Sequence, residues 1–152
     1  MRAWNVVALR DDARVNGQGA GISVTIKDQS GAGRVAATMT LDGIDSRITV
    51  QDLIRTRVRE EVTRYNAKAA STDIFHGLVM PDGAELAPDG FRMPGRRRVN
   101  WEQQADKALQ AFERNGFFIL VGGRQVTDPG ETLELSAGTD IRFIRLVQLV
   151  GG

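Results

Sequence analysis

The 152 residues are 41% hydrophobic and 26% charged, enough apolar content for one globular domain with a core, or for one domain carrying an insertion. A net charge of +1 gives no electrostatic reason to expect nucleic acid or an anionic membrane, and no apolar run approaches the roughly 20 residues needed to span a bilayer. Cysteine is absent, which excludes disulfides, thiolate catalysis and zinc sites built on cysteine.

Residues 1–21 read as an N-terminal extension and linker. Met1-Arg2-Ala3-Trp4 opens no long apolar core and no small-residue cleavage site follows, so a cytoplasmic address is expected. Trp4 to Leu9 has the pattern of a short strand, and Asn16-Gly17-Gln18-Gly19-Ala20-Gly21 that of a flexible connection. That glycine run does not qualify as a nucleotide-binding loop, because no strong strand precedes it and a strand, not a helix, follows.

Ile22, Val24 and Ile26 alternate with Ser23, Thr25 and Lys27, the period of a half-buried strand. After a turn at Gln29-Ser30-Gly31-Ala32-Gly33, the alternation resumes with Val35, Ala37, Met39 and Leu41 on one face, and the two runs predict a β-hairpin. The period then changes. Val50, Leu53, Ile54, Val58, Val62 and Tyr65 form one stripe of an amphipathic helix, with Thr49 as N-cap and Asp52 complementing the helix dipole. Arg55, Arg59 and Arg64 lie opposite, on what reads as a solvated face.

Residues 67–116 are the least regular and read as an insertion. Met80-Pro81-Asp82-Gly83, Ala87-Pro88-Asp89-Gly90 and Met93-Pro94-Gly95 are three turn signals. Asn100 then caps a second helix with Trp101, Ala105, Leu109 and Phe112 as its apolar stripe, stopped by Asn115-Gly116. A strand at Phe117 to Val121, a turn at Gly122-Gly123 and a short strand at Arg124-Gln125-Val126 follow. A loop runs through Asp128-Pro129-Gly130 and Thr132 to Leu135, and Ala137-Gly138 turns into a last strand beginning at Asp140.

The resulting order, β-β-α-insertion-β-β-β, is that of an α+β chain of the β-grasp type. The segment Ile119-Leu120-Val121-Gly122-Gly123-Arg124-Gln125-Val126-Thr127-Asp128 resembles the corresponding stretch of ubiquitin, Thr139 to Phe143 resembles its last strand, and Gly151-Gly152 matches its reactive end. Within that family the chain is most similar to bacterial ubiquitin-like modifiers encoded beside activating-enzyme, conjugating-enzyme and JAMM-peptidase genes, several of which act in antiphage defence. The resemblance implies a β-grasp domain over residues 22–147, interrupted by the insertion 67–116, and a reactive tail at 148–152. It also implies that the first and last strands pair in parallel at the sheet centre.

The resemblance further implies that the chain is not an enzyme and needs no cofactor or metal of its own. An activating enzyme using Mg-ATP would adenylate the Gly152 carboxylate, a conjugating enzyme would pass it to a target amine, and a JAMM-type peptidase would remove it. The Gly151-Gly152 pair, free of side chains, suits a narrow channel. Val147-Gln148-Leu149-Val150 replaces the arginines of the ubiquitin tail, so an activating enzyme with an apolar groove is expected, reading Leu146, Leu149 and Val150. Arg124 stands where ubiquitin has its best-known chain-forming lysine. Leu120 and Ile144 are assigned to the outer sheet face as a partner-binding patch, or else to a surface covered by the insertion helix.

Two other readings stay open: a sulfur carrier of the thiamine or molybdopterin type, and a self-assembling non-covalent module that uses Trp4 to Leu9 as an added edge strand. Other clusters read as solvated. His76 has no triad around it, Asp82, Glu85 and Asp89 fit no calcium-loop spacing, and Arg92 with Arg96-Arg97-Arg98 forms a basic loop.

Overall fold

A computed structural model describes residues 21–31 and 33–145. The expectations placed on Trp4 to Leu9 and on 146–152 lie outside those residues. The chain divides into two compact units, one built from residues up to 48 with 119–126 and from 132 onward, the other from 49–118 and 127–131.

The first unit is a mixed sheet. Strands β1 (Ile22–Ser30) and β2 (Val35–Ile44) form the expected hairpin, followed by the short β3 (Arg47–Thr49). Later in the chain come β7 (Phe117–Val121), β8 (Arg124–Val126), β9 (Thr132–Glu134) and β10 (Ile141–Arg145). Five of them run in the order β2-β1-β10-β7-β8, while β9 pairs with β3 in a separate two-stranded ladder. The first and last described strands are parallel, in register from Ile141 opposite Ile26 to Arg145 opposite Ser30. The β1–β2 and β7–β8 pairs are antiparallel.

Alternation decides which face of this sheet is dry. Val24, Ile26, Leu41, Ile119, Val126, Ile141 and Phe143 are all buried. At Gly122 and Gly123, φ of 58° and 83° gives the two-residue turn whose twist suits a hairpin, a conformation costly for other residues. Residues 132–135, expected in a loop, instead include strand β9. Its Leu133 is buried, and the Leu135 amide donates to the Ser46 carbonyl at 2.7 Å.

β2 departs from the sequence expectation. Its alternation points Val35, Ala37, Met39 and Leu41 to a core face, yet only Leu41 is buried. Met39 is half-buried, and Val35 and Ala37 are exposed. Periodicity gives the direction of a side chain and says nothing about what lies beyond it.

The second unit is helical. Helix α1 (Val50–Lys68) buries the whole expected stripe from Val50 to Tyr65. Its first turn is capped three ways: Thr49 accepts from the Asp52 amide at 3.2 Å, and the Val50 and Gln51 amides donate to the Glu131 and Pro129 carbonyls, each at 2.9 Å. The Asp128-Pro129-Gly130 loop thus satisfies amides that a helix start otherwise leaves open. Helix α2 (Trp101–Glu113) begins at Asn100, which accepts from the Gln103 amide at 2.9 Å. It stops where Asn115 takes φ of 62° and the Gly116 amide reaches back to the Ala111 carbonyl at 2.7 Å.

Between the helices the insertion holds a small sheet not visible in the sequence. β4 (Ile74–Phe75), β5 (Glu85–Ala87) and β6 (Gly90–Arg92) run in the order β4-β6-β5. Side chains fasten this segment to the helices. Asn66 exchanges two hydrogen bonds with the Val99 backbone, both 2.9 Å, and Gln104 donates to the Val79 carbonyl at 3.0 Å. Arg57 and Glu61, one turn apart on α1, form an ion pair at 2.6 Å with both side chains at most 2% exposed.

Candidate functional site

The outer face of the five-stranded sheet is built by the residues between the buried ones. Along β10, Ile141 and Phe143 are buried while Arg142 and Ile144 are half-buried; along β7, Ile119 is buried and Leu120 half-buried. Because β10 and β7 are neighbours, Leu120 and Ile144 share the face opposite the core. Both are half-buried rather than open. Ile144 sits opposite Gln29 on β1 and Leu120 opposite Gln125 on β8, so the apolar pair has a polar border.

A charged network lies on the same face. Arg142 donates to Asp140 at 2.9 Å and to the Gln29 side chain at 2.9 Å, and Lys27 reaches Asp140 at 3.3 Å. The Gly122 amide donates to the Asp140 carbonyl at 2.8 Å, so one residue ties the start of β10 to β1 and to the β7–β8 turn. The hydrogen bond from Arg142, with a smaller contribution from Lys27, holds the Asp140 carboxyl below its ordinary pKa. A carboxylate depressed in the folded state stabilises the fold above its unfolded value near 3.9, and that contribution disappears as pH falls through the lower folded value. Asp140→Asn is expected to cost under about 1 kcal/mol near neutral pH, given the exposure of the network, with the difference from the parent chain shrinking as pH falls through the lowered folded value. Urea melts of both proteins across that range check it.

The remaining expected site residues, Gly151, Gly152, Leu146, Leu149 and Val150, lie outside the described residues. Arg124 is exposed at the start of β8. Of the three lysines, Lys27 is bound to Asp140, Lys107 to Asp82 at 2.6 Å, and Lys68 ends α1.

The clusters read as solvated stay so. His76 is exposed, and among the described residues no group of three or more His, Asp or Glu is placed to hold a metal. Arg92 lies between Asp73 at 3.7 Å and Glu85 at 4.0 Å, Arg96 donates to the Ala70 carbonyl and Arg97 to that of Gly83. The basic loop is thus largely spent on its own backbone and on surface ion pairs. No described helix is long and apolar enough to cross a membrane.

No family model, curated protein or solved structure matches this chain. The reading of its function rests on sheet order and on the residues above.

Sequence reasoning overlooked the Arg57–Glu61 pair. The signal was present: Arg57 stands four residues after Leu53, and Glu61 three after Val58, both on the apolar stripe. Both side chains are buried, and Glu61 also accepts from the Leu78 amide at 3.2 Å.

Proposed function

We propose that this chain is a ubiquitin-like modifier of the β-grasp fold, adenylated at the Gly152 carboxylate by an ATP-dependent activating enzyme and transferred to amines on target proteins. The observation that carries the reading is the strand order β2-β1-β10-β7-β8 with β1 and β10 parallel at its centre, a hairpin and then a helix preceding the remaining strands. In that arrangement the last strand is an inner strand, and the sequence beyond Arg145 continues for seven residues to Gly151-Gly152. Fully extended, seven residues span about 23 Å, enough to carry a carboxylate into a partner's active site.

The chemistry belongs to the partners. Attack of the Gly152 carboxylate on the α-phosphorus of ATP releases pyrophosphate and leaves an acyl adenylate. A nucleophile on the activating or conjugating enzyme displaces AMP, and a lysine amine of the target then displaces that nucleophile to give an isopeptide. A JAMM-type peptidase reverses the last step by hydrolysis. Leu120 and Ile144 are the proposed docking residues on the body, and Leu146, Leu149 and Val150 those on the tail.

Trypsin supplies a direct test, since it cuts after Arg145 and leaves Leu-Val-Gln-Leu-Val-Gly-Gly on any modified lysine. Affinity-tagged chain recovered from its native cells is expected to yield target peptides bearing that remnant, and a variant lacking Gly152 none. Covalent adducts that persist without Gly152 would overturn the reading. A C-terminal thiocarboxylate in place of the remnant would assign the chain to the sulfur carriers instead.

A further inference from the structure

A cavity of about 220 Å³ lies wholly within the second unit, bordered by Pro81 and Asp82, by the loop before α2 and by the first turn of α2 itself. Its apolar lining, Pro81, Met93 and Val99, is buried. At about 30 Å³ per water the space holds about seven waters. That is below the roughly 300–1,000 Å³ of pockets for drug-sized ligands, so the occupant it suits is a compact polar molecule rather than a nucleotide or a chain segment.

Gln104 also lines the cavity and is only 3% exposed. Its Nε2 donates to the Val79 carbonyl at 3.0 Å, while its Oε1 takes no donor from the described residues. Among those residues the Tyr65 hydroxyl alone is a side-chain polar group both unpartnered and sealed from solvent. The Gln104 oxygen is therefore reached from outside, and the cavity is the space its residue borders. A buried amide oxygen so placed calls for a donor from the occupant.

The charged lining asks for the opposite. Arg98 is exposed and has no hydrogen bond or ion pair among the described residues, and Arg97 spends one N–H on the Gly83 carbonyl at a long 3.5 Å. Asn100 caps α2, so the positive end of the helix dipole borders the same space. The one carboxylate in the lining, Asp82, is already held by Lys107 at 2.6 Å, a hydrogen bond that keeps its carboxyl below the ordinary pKa. Two guanidinium groups and a helix start thus face one neutralised acid.

We propose that this cavity binds the oxyanion end of a small hydroxylated metabolite. Arg98 and Arg97 hold its phosphate or carboxylate group at the start of α2, a hydroxyl on the same molecule donates to Gln104 Oε1, and the carbon skeleton lies against Met93 and Val99. Guanidinium matches either oxyanion through paired N–H donors. The site needs nothing from Gly152, so its failure and that of the proposed conjugation are separate.

Amide NMR titration of the full chain with glycerol 3-phosphate, inorganic phosphate and lactate, each matched for ionic strength with sodium chloride, tests this. Saturable shifts are expected at the Gln103 and Gln104 amides and at the Gln104 side-chain NH₂. Arg98→Ala, at an exposed position, should weaken binding about tenfold or more at unchanged circular dichroism. Gln104→Met should weaken glycerol 3-phosphate about fivefold, the usual worth of one neutral hydrogen bond. Asp82→Asn should tighten it, because it removes the carboxylate and frees Lys107. A preference for glycerol 3-phosphate over lactate supports the proposal with a phosphate as the oxyanion, and the reverse supports it with a carboxylate. Shifts that sodium chloride alone reproduces overturn it, as does binding indifferent to Arg98→Ala. Binding lost in Asp82→Asn and kept in Arg98→Ala would show a cationic occupant and overturns it as well.

Discussion

Glu61→Ala is expected to destabilise the protein by about 3–5 kcal/mol, the cost of leaving a buried guanidinium without its counter-ion. The Arg57–Glu61 contact is 2.6 Å long, and the two side chains are 2% and 1% exposed, so water cannot replace the lost partner without opening the unit. Glu61 also accepts from the Leu78 amide at 3.2 Å through its other oxygen. Its removal therefore also takes the acceptor from a buried backbone donor. A loss of this size is about a fifth or more of a typical domain's stability, which spans about 5–15 kcal/mol. The double variant Arg57→Met/Glu61→Leu discriminates the cause. If the penalty comes from the unpaired charge, the double variant recovers most of it, because two apolar side chains of similar volume need no counter-ion. If the Leu78 anchor dominates, the double variant stays near the single one. Urea denaturation of the three proteins decides between them.

That pair marks a limit of reading this chain as a sequence. The helix itself was legible, since six apolar positions at three- and four-residue steps between Thr49 and Tyr65 admit one structure. The charged residues on the same stripe were not, because charge is ordinarily solvated and nothing local shows that Glu61 has an amide to bind 17 residues later. Ahead of its helix, the insertion was legible only as turns. Gly83 and Gly95 do take positive φ, yet β4, β5 and β6 between the turns are two or three residues long, too short for any period to register.

The sheet divides in the same manner. The resemblance assigned Leu120 and Ile144 to the outer face, and in the structure both are half-buried next to the buried Ile119 and Phe143. The network bordering Ile144 joins Arg142 to Gln29 across 113 residues of sequence, a pairing that appears only once β10 lies beside β1. Along β2 the alternation was sound and the inference of burial was not. An edge strand and an inner strand have the same period, and only the tertiary fold says which of them is covered.

Phe143→Ala is the second large effect expected. Phe143 is wholly buried on β10, opposite Asp28 in the parallel pair with β1, and truncating a buried phenylalanine removes its transfer free energy and leaves a cavity. The expected loss is about 3–5 kcal/mol. Ile144→Ala, one residue along on the outer face, should cost well under half as much, because its side chain is only half-buried and its space opens toward solvent. The contrast matters for the proposed function, since both substitutions fall on the strand that leads into the tail. Impaired conjugation in Phe143→Ala is expected to follow its loss of fold and to recover at lower temperature. Impaired conjugation in Ile144→Ala, at nearly unchanged stability, is expected to persist at every temperature because a docking contact is missing. Amide exchange separates the two: protection across β1 and β10 falls in the first variant and holds in the second. If both variants conjugate at the parent rate while folded, the outer face of the sheet has no part in recognition, and the apolar tail alone would have to supply it.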